Sequence, residues 1–472
     1  MSTTVRIVSR RDDLAGVVSA VVVGRAHRLL DPSVAAIFPH PAWSDMVRAG
    51  DPGDSGRVAW AWTGASPSRI GVAVLPELCS RHNPPSRAWA IPRLVAGLPR
   101  HGDAAVVLAL DEPSHAAAAV AAVVRAFPTW PELGGATREL RILVEGVDPS
   151  GLAELAAAVR DAAALVDMPP NVLTPDALVN RAAAAAQLPG VSSERFVGDA
   201  ARSAGLGGIW AVGAASVHPP AMVVLDWSPP GARAHVAWVG KGITYDTGGL
   251  ALKAKTSMPG MKTDMGGAAA VLTAFEAVVR QQLPVAVTAV LCIAENAIGP
   301  LAVRPDDVIT MFSGKTVEIN NPDAEGRLVL GDGVAWVAKH RPVGEIVACA
   351  TLTGAQGIAT GRRHAAVTCS DADLEQRLVT AGLESGDTVS PVLWAPEFAR
   401  PEFQSSVADL KNSVKDRNNA QPSCAAWFVA AHLPADAPPF ALVDMAAPAT
   451  NGGRATGYGP ALLLASLRDH LA

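Results

Sequence analysis

The feature that most constrains this chain is the regular exchange of two kinds of apolar run across its second half. Short runs dense in Val, Ile and Ala read as buried strands: "AMVVLDW", "HVAWVG", "PVAVTAVLCIAEN" (Pro284–Asn296) and "EIVACATLTGA" (Glu345–Ala355). Long runs of helical character stand between them: "MGGAAAVLTAFEAVVRQQ" (Met265–Gln282) and "GRLVLGDGVAWVAKH" (Gly326–His340). Strand and helix in turn predict a mostly parallel sheet with helices on both faces. Such a sheet places its ligand site beyond the carboxyl ends of its strands. The polar residues at those ends are therefore the candidates for chemistry.

The first third predicts a smaller unit of the same class. "LAGVVSAVVVG", "GDAAVVLAL" and "RELRILVEG" read as strands, and "SHAAAAVAAVVRAF" (Ser114–Phe127) as a helix capped by its serine. A strong helix, Gly151–Met168, stops at the turn-rich "PPNVLTP" (Pro169–Pro175). The expected fold class is α/β with two domains. Residues 1–160 form a small N-terminal α/β domain, and residues 161–472 a larger C-terminal domain with a mixed, mostly parallel sheet flanked by helices.

Composition narrows the function classes. With 49% hydrophobic residues the chain can bury a sizeable core. A net charge of −5, with no long basic run, argues against nucleic acid as a partner. Five scattered cysteines without a CxxC pair read as reduced, mostly buried thiols of a cytoplasmic protein. No signal-peptide pattern opens the chain, and glycines with "HPP" interrupt the longest charge-free run, Ser203–Leu225, so no membrane span is expected.

Two polar clusters stand out. "KGITYDTGGLALKAKTSMPGMKTDMGG" follows the strand "HVAWVG" and carries Lys241, Asp246, Lys253 and Asp264. "NPDAEGRLVL" places Asp323, Glu325 and Arg327 at alternate positions before a helix, so an extended backbone would aim all three the same way. Each has a plain structural reading. Asp264 suits a helix N-cap, Asp323 and Glu325 suit a helix dipole, and Lys241 and Lys253 suit a solvated surface. Their joint placement in apolar surroundings favours another reading. Converging carboxylates repel unless cations neutralise them, and two divalent ions about 3.5–4 Å apart would do so and activate a water. No HExxH motif and no His or Cys cluster points to a single-zinc site.

"NPDAEGRL" differs by one residue from "NTDAEGRL", the signature of the leucyl (cytosol) aminopeptidase family. "VGKGITYDTGG", "MKTDMGGAAAV", "PPNVLTP" and "ATLTGA" resemble other blocks of that family, in the same order. The intervals agree too: from Lys241 it is five residues to Asp246, twelve to Lys253 and twenty-three to Asp264. The likeness runs from about Asp167 to the C-terminus and is greatest to an animal branch of aminopeptidase-like proteins sharing "GKTVEINN" and "TGAQGIATG". The N-terminal domain resembles the family only in being α/β.

The resemblance implies a metalloexopeptidase that removes hydrophobic N-terminal residues from peptides with a free N-terminus. It implies two divalent ions per subunit, Zn or Mn, with Mg or Co as alternatives. Lys241, Asp246, Asp264 and Glu325 would hold one, and Asp246, Asp323 and Glu325 the other. A lysine ligand must be the neutral amine, because an ammonium has no lone pair. Lys253 would stabilise the oxyanion, and Arg327 would hold a bicarbonate that acts as base. Met261, Thr351, Leu352, Gly354, Ala446 and Ala449 would line the side-chain pocket, and Ala449, standing where relatives carry methionine, predicts a wider one. The family also implies a homohexamer, with the N-terminal domain as an oligomer-forming element. Two readings compete: a DNA-binding or regulatory member, and a catalytically silent scaffold. Pro322, where the family has threonine, would either stiffen the loop that presents Asp323 or disturb its geometry.

Overall fold

The Val- and Ala-rich runs of the first third become a six-stranded sheet in the computed structural model, which describes residues 3–50, 52, 56–99, 101–130 and 137–471. Its strands are β1 (Thr3–Val8), β2 (Ser19–Gly24), β3 (Ala59–Trp62), β4 (Arg69–Val74), β5 (Ala104–Ala109) and β6 (Arg138–Val144), in spatial order β1-β6-β5-β2-β4-β3. All neighbours are parallel except the β3–β4 hairpin. β2 and β5 are buried along their whole length, as continuous apolar strands inside a parallel sheet must be. The helix expected from Ser114 begins at Ala116, and the serine sits in a preceding 3-10 turn, Pro113–His115, without capping it.

The chain divides into two compact units, Met1–Arg160 with Thr380–Thr388, and Asp161–Val379 with Val389–Ala472. The division falls inside the helix Leu152–Asp167. Thr174, at the end of "PPNVLT", accepts a hydrogen bond from the Ala177 amide and caps the next helix, Pro175–Ala185.

The larger unit is built on an eight-stranded sheet. Its strands are β7 (Val191–Val197), β8 (Ala221–Trp227), β9 (His235–Asp246), β10 (Ala286–Asn296), β13 (Glu345–Ala350), β14 (Ala365–Cys369), β15 (Val389–Pro391) and β17 (Phe440–Asp444). The order is β15-β14-β17-β13-β9-β10-β8-β7. The central four, β17-β13-β9-β10, are parallel, and antiparallel pairs flank them, so the sheet is mixed and mostly parallel. Short strands β11 (Val308–Thr310), β12 (Thr316–Glu318) and β16 (Leu410–Lys411) make a separate small sheet.

Two helices cover opposite faces of β9, and missing side chains let them come close. A Cβ on Gly240 would lie 2.6 Å from the Ala268 Cα, on the side of the helix Gly266–Arg280. A Cβ on Gly333, in the helix Gly326–His340, would meet Val239 at 2.8 Å on the other side. Successive strand residues point to opposite faces. Val239 and Lys241 therefore face the helix that starts at Gly326.

β9 also runs six residues past Gly240, where the run "HVAWVG" ends, and reaches Asp246. Pairing with β10 and its Cys292, Ile293 and Ala294 extends it, although the segment contains Lys241 and two further polar residues. Tertiary pairing thus overrides a weak local strand signal. Among the described residues, all five cysteines are free, and no helix is long and apolar enough to cross a membrane.

Candidate active site

The extension of β9 determines where the first cluster lies. Lys241 is inside the sheet, 2% exposed, and Asp246 ends the strand. The Lys241 Nζ lies 2.8 Å from Asp264 Oδ2 and 2.9 Å from Glu325 Oε1, and donates to the Thr351 carbonyl at 3.0 Å. Its tip rests against Gly326, where a Cβ would stand 2.6 Å from Nζ. Lys253 returns on a glycine turn: Gly248 and Gly249 have φ of +86° and +59°, which side-chain-bearing residues rarely adopt. Its Nζ lies 2.7 Å from Asp246 Oδ2 and 2.5 Å from Asp323 Oδ1. Ligating atoms of Asp246, Asp323 and Glu325 all lie within 4.8 Å of one another.

Asp264 is not a helix cap. The helix begins at Gly266 after Met265, and the Asp264 carboxylate turns to Lys241 and to the Thr351 hydroxyl, which donates to Oδ1 at 2.9 Å. Glu325 likewise makes no side-chain cap for the helix Gly326–His340. Both carboxylates face Lys241, so the plain N-cap reading of Asp264 fails, while Glu325 keeps its place at a helix N-terminus.

The electrostatics show a site short of positive charge. Burial alone would lower the Lys241 pKa, but Asp264, Glu325 and Asp246 together raise it. Lys253 is raised in the same way by Asp246 and Asp323 against its own burial. The carboxyls move in the unfavourable direction despite those ammonium groups. Asp264 is raised well above the usual range by burial, with Glu325 and Asp246 adding to it while Lys241 opposes. Glu325 is raised by burial and by Asp246. Asp323 is raised by burial against the pull of Lys253. The lysines gain from the pairing and the acids lose, because four carboxylates share two ammonium groups. Asp264 Oδ2 and Asp323 Oδ1 are buried and rest against the Lys241 and Lys253 ammonium groups at 2.8 and 2.5 Å. Oxygen-rich ligands with excess negative charge fit hard or borderline divalent cations.

Arg327 presents the complementary deficit. It is buried, its guanidinium carbon lies 5.9 Å from the centre of the Phe403 ring, and its Nε and Nη1 have no hydrogen-bond partner. Burial lowers its pKa to about 10 against the pull of Glu325. A planar fork with two unmet donors fits a small oxyanion.

These side chains open into one cavity of about 740 Å³. Lys241, Asp246, Lys253, Asp264, Asp323, Glu325 and Arg327 all line it, and so do Met261, Thr351, Leu352, Gly354 and Ala446. Ala449 is a correction. It is 3% exposed and outside the lining, with its amide bonded to the Met445 carbonyl and its carbonyl to the Thr456 amide. The wider pocket expected from that alanine loses its basis.

Three buried residues that hold the cluster escape the sequence reading. Asn296 donates from Nδ2 to Asp246 Oδ1 at 2.8 Å and to the Pro322 carbonyl at 3.2 Å, joining the strand that carries one cluster to the loop that carries the other. Asn412 accepts from the Asn320 and Asn321 amides and donates to the Asn321 and Ala324 carbonyls. Asp444, pushed up to about 6 by burial, accepts from the Leu352 and Thr353 amides and shapes that wall of the cavity. Their only signal was position at the ends of β10 and β17 and at a loop. Pro322 is also explained. The loop uses its carbonyl, through Asn296, and fixes Asp323 through the bond from its amide to Asn321 Oδ1, so no amide hydrogen at 322 is needed.

The chain is similar to known proteins along most of its length. Residues 160–464 match the family described as "Cytosol aminopeptidase family, catalytic domain", and residues 19–132 match "M17 aminopeptidase N-terminal domain 2". The likeness thus extends into the N-terminal unit, further than the sequence blocks carry it. The "Probable aminopeptidase NPEPL1" of Mus musculus is 47% identical over 410 residues, covering 84% of this chain and 78% of that protein. Leucyl aminopeptidase from Trypanosoma brucei in complex with bestatin superposes with a TM-score of 0.92 at 36% identity, covering 99% of this chain and 96% of that one. The bottromycin maturation enzyme BotP in complex with Mn gives a TM-score of 0.81 at 28% identity, over 96% of this chain and 99% of that one.

Proposed function

The chain belongs to the cytosol aminopeptidase family and is a metal-dependent aminopeptidase, and from that premise we propose that it releases hydrophobic N-terminal residues from peptides at the cluster of Lys241, Asp246, Lys253, Asp264, Asp323, Glu325 and Arg327. The observation that carries the reading is the excess of carboxylate, with Asp246, Asp264, Asp323 and Glu325 gathered around only two lysine ammonium groups. Lys241, as the neutral amine, with Asp246, Asp264 and Glu325 would hold one divalent ion. Asp246, Asp323 and Glu325 would hold a second. Zinc or manganese suits this set, with magnesium or cobalt as alternatives, and the manganese complex of BotP supports manganese among them. When bound, such ions supply Lewis acidity and an acidified water at neutral pH.

The chain's own groups do the rest. Asp246 Oδ1 is occupied by the Gly248 amide and Asn296, so Oδ2 is the atom left to serve a cation. Lys253, which stands beside Asp246 and Asp323 on the cavity wall, would stabilise charge that grows on the scissile carbonyl oxygen. Arg327, with two free N–H donors, would hold a bicarbonate able to take a proton. Met261, Leu352, Gly354 and Ala446 offer an apolar surface for the first side chain of the substrate. A homohexamer and a cytoplasmic location complete the reading, and the family membership supports both.

The test is release of amino acid from Leu-, Met- and Phe-amides by protein loaded with Mn²⁺ or Zn²⁺. Turnover of Leu- and Met-amide is expected. Lys253→Ala should lower kcat by about 10²–10³ while retaining bound metal. No turnover of any amide with two equivalents of metal bound would sink the reading.

A further inference from the structure

We propose that Arg417 is a specificity-determining residue that receives the C-terminal carboxylate of the substrate, so that this enzyme favours short peptides with a free carboxylate over capped ones. The inference rests on the aminopeptidase reading above and names its substrate class.

The cavity is lined by four acids and four cations. The acids are Asp246, Asp264, Asp323 and Glu325, all in the proposed metal set. Three of the cations are accounted for. Lys241 and Lys253 face those acids, and Arg327 is buried beside them. Arg417 is the fourth. It is exposed, and its guanidinium makes no hydrogen bond or ion pair among the described residues. An anionic group entering from solvent has no partner of this cation to displace.

Arg417 stands on a different chain segment of the lining from the apolar residues. The apolar patch of Met261, Leu352, Gly354 and Ala446 forms one wall. Ser413, Val414, Arg417 and Gln421 belong to a different segment of the lining, tied to the metal-set loop through the bonds of Asn412 and through the Ser413 amide, which donates to Asn320 Oδ1. If the side chain of the first residue occupies the apolar wall, the rest of the peptide extends along this second segment.

The loop is also held in place, and its own acids are engaged elsewhere. Glu402 accepts from the Asp416 amide and from Asn419 Nδ2, both at 2.9 Å. Asp416 Oδ1 accepts from the Asn418 amide. The Arg417 carbonyl accepts from Gln421 Nε2 at 2.6 Å. The backbone of Arg417 is therefore fixed while its fork stays open, as bidentate capture of a carboxylate requires.

The experiment compares Leu-Ala with Leu-Ala-amide, using leucinamide as the reference substrate, in metal-loaded wild type, Arg417→Gln, Arg417→Lys and Lys415→Ala. Wild type should show a kcat/KM ratio of free to amidated dipeptide of about two- to fivefold at low salt, carried by KM and shrinking as salt screens an exposed pair. Arg417→Gln should bring the ratio close to one and abolish its salt dependence. Arg417→Lys should retain part of the ratio, and Lys415→Ala, at an exposed lysine outside the lining, should retain all of it. Hydrolysis of leucinamide with an unaltered ratio in Arg417→Gln overturns this proposal alone. Absence of leucinamide hydrolysis in wild type overturns the function reading and this proposal with it.

Discussion

At the scale of single residues, the cluster depends on an amide that touches both its parts. Asn296 is 3% exposed, and its Nδ2 serves Asp246 Oδ1 and the Pro322 carbonyl at once. Its own carbonyl accepts from the Thr247 amide and hydroxyl, which fixes the turn leading to Lys253. Removing the amide frees a carboxylate oxygen and the loop together. Groups that orient ligands from behind typically account for 10–100-fold in metal affinity. Asn296→Ala should therefore weaken Mn²⁺ binding by about that factor in calorimetric titration of the metal-free protein, without substrate present. Asn296→Asp, which keeps the size and loses the donor, should weaken it at least as much. Unchanged affinity in both variants would remove Asn296 from the set of positioning residues.

At the scale of elements, close approach of helix to sheet is the device that matters, and it yields a contrast between two glycines. A Cβ on Gly267 would stand 2.0 Å from the Cys349 carbonyl oxygen, a backbone atom of β13. A Cβ on Gly326 would stand 2.6 Å from Lys241 Nζ, the tip of a flexible side chain. Backbone cannot yield cheaply, so Gly267→Ala should destabilise by about 3 kcal/mol in denaturant unfolding. Gly326→Ala should lose much less stability and show its effect as weakened metal binding, because the lysine amine is what moves. Equal losses of stability would show that Lys241 is as rigid as the sheet.

The same elements show what the sequence made legible. The alternation of runs gave β8, β9, β10 and β13 with the two long helices between them, and several boundaries to the residue, such as Ala221–Trp227 and Gly326–His340, but not β7, β14, β15 or β17. Charged residues at strand ends drew attention to the chain that lines the cavity. The end of β9 was not readable, because Lys241 and Asp246 carry no strand propensity and only the pairing with β10 extends it. Asn296, Asn412 and Asp444 act through long-range hydrogen bonds that no local pattern encodes. Ala449 failed for a related reason: alignment to a neighbouring segment does not reveal which way a short loop turns its side chains.

At the scale of the whole molecule, stability should carry the mark of one buried imidazole. His432 is 2% exposed and follows the helix Gln421–Ala430. Its Nδ1 is within 2.8 Å of the Ser313 hydroxyl, its Nε2 has no partner, and its ring packs edge-on to Phe428. Burial, with Lys315 nearby, lowers its pKa from 6.5 to about 3. The folded state therefore binds this proton less readily than the unfolded chain does. The stability that depends on a neutral His432 is fully present above pH 6.5 and is lost as pH falls toward 3, by roughly 1 kcal/mol per pH unit. Two buried acids have the opposite sign. Asp332 is pushed up to about 7 by burial in spite of three backbone amides, and Asp444 to about 6, so each costs stability as pH rises through the same window. The total slope thus mixes opposing contributions, and the informative quantity is the difference between proteins. Urea unfolding of wild type and His432→Asn at pH 7, 6, 5 and 4 should show the wild type's advantage, if any, shrinking at each step. A constant difference across the series would mean that His432 takes up its proton as readily in the folded as in the unfolded state, which its unpartnered Nε2 among the described residues and its packing on Phe428 argue against.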